Sequence, residues 1–196
     1  MLKNRNFVLA SSSPRRRELL AGVGLDFEVI PPRVRESARD GEAPLDFAKR
    51  MAREKALYVC AQERRGRIVV GSDTVVSISG EIFGKPRDEE DALSMLQKLS
   101  GRTHEVITGF CVARSPGDVL HLGATRTEVR MKSLDTEGMR RYIKTGEPMD
   151  KAGAYAIQGI GSCLVEWIKG SYTGVVGLPL FELVSVLSDI GVVESG

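Results

Sequence analysis

The sequence predicts an α/β protein with a mixed central β-sheet flanked by helices. Three observations carry this. Short runs rich in β-branched residues are intermixed with amphipathic helical stretches along the whole chain. Two pairs of strand-like runs are joined by tight turns instead of helices, at Ser79-Gly80 and at Ser115-Pro116-Gly117, which makes those neighbours antiparallel. No repeat, low-complexity segment or long linker divides the 196 residues. That length suits one domain, or one domain of two small lobes, with a real core.

The elements follow in order. Phe7 to Ala10 reads as a short buried strand. Ser11-Ser12-Ser13-Pro14 then opens a helix to about Ala21, with Ser13 as N-cap, Pro14 in the first helical position and Gly22 and Gly24 as the stop. Phe27 to Ile30 is a second strand, ended by Pro31-Pro32. From Pro44 to about Gln62 the pattern is helical, with Leu45, Ala48, Met51, Ala52, Ala56 and Val59 on one face. Ile68–Val70 and Thr74–Ile78 are strand-like. Gly71 between them marks a bulge or a close backbone approach. Ser79-Gly80 turns into Glu81-Ile82-Phe83, and Asp88 caps a helix through Leu99 with Gly101 beyond it. Two long strands, His104–Arg114 and Val119–Met131, form an antiparallel pair. A helix from about Asp135 to Lys144, a glycine-rich region, a strand near Cys163–Ile168 and a helix from Pro179 to about Ile190 complete the chain.

Composition excludes several functions. The formal net charge is +2, so no global field marks a nucleic-acid binder. No apolar run approaches the ~20 residues of a membrane span, and the stretch from Met1 to Ala10 is too short in apolar residues for a signal peptide. The three cysteines, Cys60, Cys111 and Cys163, are scattered and read as small buried hydrophobes. They fit a reducing cytoplasm and give no zinc spacing, and His104 and His121 stand alone.

Five places put polar residues where a core is expected. In Ser11-Ser12-Ser13-Pro14-Arg15-Arg16-Arg17 a strand feeds a small-residue turn at a helix N-terminus. Free amides, the helix dipole and arginines together suit phosphate, although at most two of the three arginines can face one ligand. Lys55 falls on the edge of an apolar helix face, where it either snorkels or meets an anion in a cleft. Asp73, in Val70-Gly71-Ser72-Asp73-Thr74-Val75-Val76, is a carboxylate among strand-forming aliphatics. It is expensive to bury unless paired or metal-bound, and a place at a strand end suits it to metal ligation or to positioning water. Lys85, in Gly84-Lys85-Pro86-Arg87, adds a cation near the same sheet end. Gln158 closes a run of small residues from Gly146 and offers the donor and acceptor a base edge needs. The set suits a polyphosphate–metal substrate, and with two histidines no Ser-His-Asp or Cys-His arrangement competes.

These residues resemble the Maf family of nucleotide pyrophosphatases over nearly the whole chain. Seven pieces occur in the family order: Ala10 to Leu20, Ala52 to Ala56, Gly71 to Val76, Gly84 to Arg87, Leu99 to His104, Gly146 to Tyr155 and Val176 to Pro179. The resemblance implies an elongated, two-lobed, inosine triphosphatase-like architecture with a central cleft. It implies hydrolysis of a nucleoside triphosphate to the monophosphate and pyrophosphate with a divalent cation, Mg²⁺ first and Mn²⁺ second. It further implies a cytoplasmic homodimer linked to septum arrest and to clearing non-standard nucleotides. Asp73 is then the proton acceptor, the metal ligand or both, and Glu36 is the second metal ligand. Glu36 lies in Val34-Arg35-Glu36-Ser37, where the family often has Asp-Glu. Arg16, Lys55 and Lys85, with Ser11, clamp the polyphosphate. Arg15, Thr74 and Gln158 select the base, and all three match the dTTP/UTP group of the family instead of its 7-methyl-GTP group. Two other classes stay open: a non-catalytic nucleotide-sensing regulator of septum formation, and a nucleic-acid-binding factor using Arg15 to Arg17. The near-neutral charge and the lack of interleaved aromatics weigh against the second.

Overall fold

A computed structural model describes residues 3–194. Its main sheet is mixed, as the hairpins predict. Strand β2 (Phe7–Ala10) lies parallel to β3 (Phe27–Val29) on one side and to β4 (Ile68–Ile78) on the other. From β4 onward the sheet is antiparallel, through β6 (Thr103–Arg114) and β7 (Asp118–Met131) to β8 (Val165–Lys169). β5 (Glu81–Phe83) folds back onto the end of β4. Its turn places Ser79 at φ 53° and Gly80 at φ 82°, the left-handed pair that a two-residue hairpin needs. β1 (Lys3–Asn4) and β9 (Val193–Glu194) make a separate two-stranded pair, which the sequence pattern did not announce.

The two strand runs expected at Ile68–Val70 and Thr74–Ile78 are one strand. Its pairing with β6 runs unbroken from Ile68 to Ser77, so Gly71 is not a bulge and Asp73 is not at a strand end. Gly71 serves close approach instead. Helix α2 (Pro44–Cys60) crosses that face, and a Cβ on Gly71 would meet the Ala52 carbonyl oxygen at 2.3 Å and the Ala56 nitrogen at 2.7 Å. A Cβ on Gly109 of β6 would meet the Ala48 carbonyl oxygen at 2.3 Å. Ala48, Ala52 and Ala56, four residues apart, form a stripe of small side chains along one side of the helix.

Side chains of β4 alternate between the two faces. Val69 packs with Ala52, Ala56 and Val59 of α2, and Val75 packs with Phe47, Ala48 and Met51. On the opposite face two cores sit at the two ends of the long strands. Val70, Phe110 and Val112 pack with Leu20 of α1 (Pro14–Gly22) and with Leu183 and Leu187 of α6 (Leu180–Asp189). Val76, Ile78, Val106 and Met131 pack with α3 (Glu89–Leu99) and α4 (Thr136–Ile143). Between these cores lie the polar side chains of Ser72 and Thr74.

Caps behave unevenly. Asp88 accepts from the Asp91 amide at 2.8 Å, as its position predicts; Asp135, expected as the first residue of its helix, also serves as a cap and accepts from the Gly138 amide at 2.6 Å. Ser13 occupies the cap position of α1, but its side chain makes no cap bond; its own amide donates to Ser11 Oγ at 3.1 Å. Cys60 and Cys111 are buried; Cys163 is exposed in the 3₁₀ turn Gly159–Leu164, where Leu164 instead joins the core of α3 and α4. A short helix α5 (Tyr172–Val176), capped by Ser171, was not foreseen. Among the described residues no helix is long and apolar enough to cross a membrane.

Candidate active site

The site begins where β2 stops. β2 pairs with β4 only as far as Ala10 opposite Gly71, and β5 takes up the same edge only from Val76. The edge of β4 from Ser72 to Val75 therefore has no strand beside it. A cavity of about 570 Å³ opens there.

Two groups of polar side chains reach this gap from opposite faces of the sheet. Asp73 shares the α2 face with Gly71, and Lys55 of α2 lies over it. Lys55 Nζ is 2.6 Å from Asp73 Oδ1 and 2.7 Å from Glu36 Oε1. Both Lys55 and Asp73 are about 5% exposed, at 6% and 5%, so the pair is shielded from water; Glu36, on the loop before α2, is exposed. The lysine at the edge of the apolar face thus meets anions and does not snorkel.

From the other face comes Arg16, also buried. Its Nε donates to the Gly177 carbonyl at 2.7 Å, Nη1 to Ser11 Oγ at 3.2 Å and Nη2 to Thr74 Oγ1 at 3.2 Å. One guanidinium so joins the turn after β2, the middle of β4 and the end of α5, using the fixed fork geometry that only arginine offers. Thr74 Oγ1 is also 2.9 Å from Thr108 Oγ1, and Ser72 Oγ donates to the Gly109 and Gly177 carbonyls.

Burial raises the Asp73 carboxyl above the usual carboxylate range, and Lys55 and Arg16 oppose this only in part. Glu36 ends below its usual range: its partial burial raises it, but Lys55, Lys85 and Arg16 together outweigh that. Two carboxylates on one ammonium are therefore driven apart.

Every expected site residue lines the cavity: Ser11, Arg15, Arg16, Glu36, Lys55, Asp73, Thr74, Lys85 and Gln158. Arg17 is exposed and is not part of the lining, in keeping with the limit of two facing arginines. Thr74 differs in emphasis, since its hydroxyl is engaged by Arg16 and Thr108. The turn expected to meet phosphate also offers fewer amides than expected, because the Ser11 amide donates to the Leu9 carbonyl at 3.0 Å and the Ser13 amide to Ser11 Oγ. Sequence reasoning missed Asp150 and Lys151, which line the same cavity. Asp150 lies 3.5 Å from Arg15 Nη1 and also pairs with Lys151. The signal for both was the Asp-Lys pair inside the run from Gly146 to Tyr155.

A family model described as Maf-like protein matches residues 6–190. The chain belongs to this family. Three curated relatives are named dTTP/UTP pyrophosphatase. That of Geobacter sulfurreducens is 53% identical over 190 residues, covering 97% of this Maf-like chain and 99% of its own length. That of Geobacter metallireducens is 50% identical over 191 residues, covering 97% and 99%. That of Dictyoglomus thermophilum is 46% identical over 188 residues, covering 95% and 97%. Among solved structures, a nucleoside-triphosphatase / dITP/XTP pyrophosphatase from Mycobacterium abscessus overlays with a TM-score of 0.39 at 17% identity, covering 65% of the Maf-like chain and 73% of that chain.

Proposed function

We propose that this Maf-like chain is a single two-lobed domain that hydrolyses a pyrimidine nucleoside triphosphate, dTTP or UTP, to the nucleoside monophosphate and pyrophosphate. The observation that carries this is the convergence of Asp73 and Glu36 on Lys55 at the open edge of β4, in a cavity also lined by Arg15, Arg16 and Lys85. A ring of cations around a buried carboxylate suits a polyanion attacked by water and suits few other substrates. The names of relatives about half identical over nearly their whole length support the same activity.

In this reading the triphosphate lies against Arg16, Lys55, Lys85 and the turn at Ser11. Asp73 takes a proton from the water that attacks the α-phosphorus, and the bond from that phosphorus to the bridging oxygen breaks, releasing pyrophosphate. Lys55 holds the Asp73 carboxylate in place. Arg15, Thr74 and Gln158 meet the base, whose two carbonyls and ring N–H complement an arginine fork and an amide.

The donor set fits a divalent cation. Asp73 and Glu36 supply two hard carboxylates, and Mg²⁺ is commonly held by one or two carboxylates with substrate phosphates and water. Among the described residues no cluster of three His, Cys, Asp or Glu side chains forms a cage, so the cation would arrive with the nucleotide. When bound it would supply neutralisation of charge on the phosphate oxygens. A homodimer in the cytoplasm belongs to the same proposal, tested by sedimentation of the purified protein.

The deciding experiment offers dTTP, UTP, CTP and 7-methyl-GTP with Mg²⁺, with Mn²⁺ and with EDTA, and separates products by chromatography. Pyrophosphate and a pyrimidine monophosphate are expected, with loss of turnover in EDTA. Orthophosphate as the first product would sink the bond assignment, and tight binding without turnover would make the cavity a sensor.

A further inference from the structure

The segment that carries Gln158 belongs to no strand. It runs from the 3₁₀ turn Ala152–Ala154 to the 3₁₀ turn Gly159–Leu164, so its amides need acceptors that a sheet would otherwise supply. Two side chains outside the cavity lining provide them. Tyr142 of α4 is buried, and its hydroxyl oxygen accepts from the Ala156 amide at 3.2 Å while donating to Glu147 Oε1 at 2.8 Å. Glu147 Oε1 also accepts from the Gly161 amide at 2.8 Å, and Oε2 accepts from the Ile160 amide at 2.9 Å. The backbone is therefore held at Ala156, just before Ile157 and Gln158, and again at Ile160 and Gly161, beyond Gly159; Ile157 and Gln158 line the cavity together with Tyr155 and Ala156.

The local sequence is shaped around this tie. Gly159 has φ 65°, and a Cβ there would meet Glu147 Oε2 at 2.4 Å. A Cβ on Gly161 would meet the Tyr142 hydroxyl at 2.5 Å and the Ala156 carbonyl oxygen at 2.4 Å. Both positions need glycine for the carboxylate and the phenol to reach the amides. An ionised carboxylate accepting three bonds at once is a stiff anchor, because charge-assisted bonds are shorter and stronger than neutral ones.

We propose that Tyr142 and Glu147 are positioning residues for base selection: they fix Gln158 in the cavity wall, and thereby set which base is accepted without touching the reacting phosphates. This rests on the reading of Gln158 as a base contact in the proposed function. Neither side chain lines the cavity, so their effect on the nucleotide passes through the backbone they hold.

The test compares UTP with CTP, which differ at the base edge and share the triphosphate. In Glu147→Gln one carboxylate oxygen becomes an NH₂ group, and a donor then faces a donor at Ile160 or at Gly161. The ratio of kcat/KM for UTP over CTP is expected to fall about tenfold, through KM for UTP, with kcat for UTP held within about twofold. Tyr142→Phe keeps both carboxylate–amide bonds and strands only the Ala156 amide, so it carries the test if Glu147→Gln does not fold. In a Gln158→Ala background the Glu147→Gln change should cost no further discrimination. Unchanged discrimination in a folded variant, additive loss in the Gln158→Ala background, or equal loss of kcat for both nucleotides would each overturn the tie. A wild-type protein that turns over no pyrimidine triphosphate overturns the underlying function instead, a result readable before any variant is made.

Discussion

Asp73 and Lys55 meet at 2.6 Å because α2 rests directly on the backbone of β4 two residues earlier, at Gly71. The contact is buried, and a buried charge without a partner is costly. The two residues should fail differently. Asp73→Asn leaves Lys55 its second partner, Glu36, at 2.7 Å. It should keep most of its stability and lose about 10² to 10⁴ in kcat, the range for removal of a general base. Lys55→Met strands Asp73 and should lose turnover together with about 3–5 kcal/mol of stability. Urea unfolding without nucleotide, set beside single-turnover rates, separates the two. Equal stability losses would show that Glu36 does not compensate.

Gly71→Ala tests the same contact from the backbone side. The atoms a new Cβ would meet at 2.3 and 2.7 Å are backbone atoms of Ala52 and Ala56 and cannot rotate away. α2 must lift, and Lys55 lifts with it. The change should cost at least the ~1–3 kcal/mol typical of overpacking. It should lower kcat although no cavity-lining side chain is altered. Wild-type turnover in this variant would mean that the Lys55–Asp73 distance does not depend on the seating of α2.

The parts of this arrangement that follow from local pattern were legible in the sequence. Lys55 stood on the edge of an apolar helix face, Asp73 was a carboxylate among aliphatic strand residues, and Asp88 preceded helical periodicity at cap spacing. What pattern could not reveal depends on distant chain segments. Gly71 read equally as a bulge or a close approach, and only the seating of α2 decided between them. Asp73 read as a strand-end residue because Gly71-Ser72 broke the aliphatic run, whereas β6 pairs straight through it. The strand end that opens the cavity belongs to β2. Tyr142 and Glu147 gave no signal, since their partners are backbone amides 13 to 14 residues away, except for Tyr142 with Glu147 itself. The two-residue strands β1 and β9 are too short for any periodicity to register.

Arg16 provides a prediction about geometry at constant charge. Its three bonds run to Gly177, Ser11 and Thr74, each on a different element or turn. A lysine ammonium is a point charge on a flexible stem and cannot span all three. Arg16→Lys should lose at least one of these bonds, at about 0.5–1.5 kcal/mol, because the Gly177 carbonyl keeps Ser72 Oγ and the Thr74 hydroxyl keeps Thr108 Oγ1. It should also raise KM for the triphosphate by roughly tenfold, since the cation no longer sits at a fixed point. The control is Lys85→Arg, at an exposed cation with no comparable network, which should change KM by less than about threefold. Equal effects in the two variants would reduce Arg16 to a charge.

The last prediction concerns pH and a residue the proposed chemistry does not use. His104 is buried beside Tyr155, with Nε2 2.7 Å from the phenol oxygen and the rings edge to face at 5.3 Å. Burial lowers its pKa from 6.5 to about 4. The unfolded chain therefore binds a proton near pH 6.5 that the folded protein refuses until about pH 4. Stability from this group is complete above pH 6.5, falls as the pH drops toward 4, and loses nothing more below that. Two and a half units correspond to about 3 kcal/mol over that window. Acid unfolding also draws on carboxylates that are paired in the folded protein, so the quantity to measure is a difference. Urea midpoints of wild type and of His104→Gln, which can still bond Tyr155, should converge as the pH falls from 7 to 4. The wild type should lose about 3 kcal/mol more than the variant across that interval. Parallel pH profiles would show that His104 takes up its proton in the folded protein as readily as in the unfolded chain.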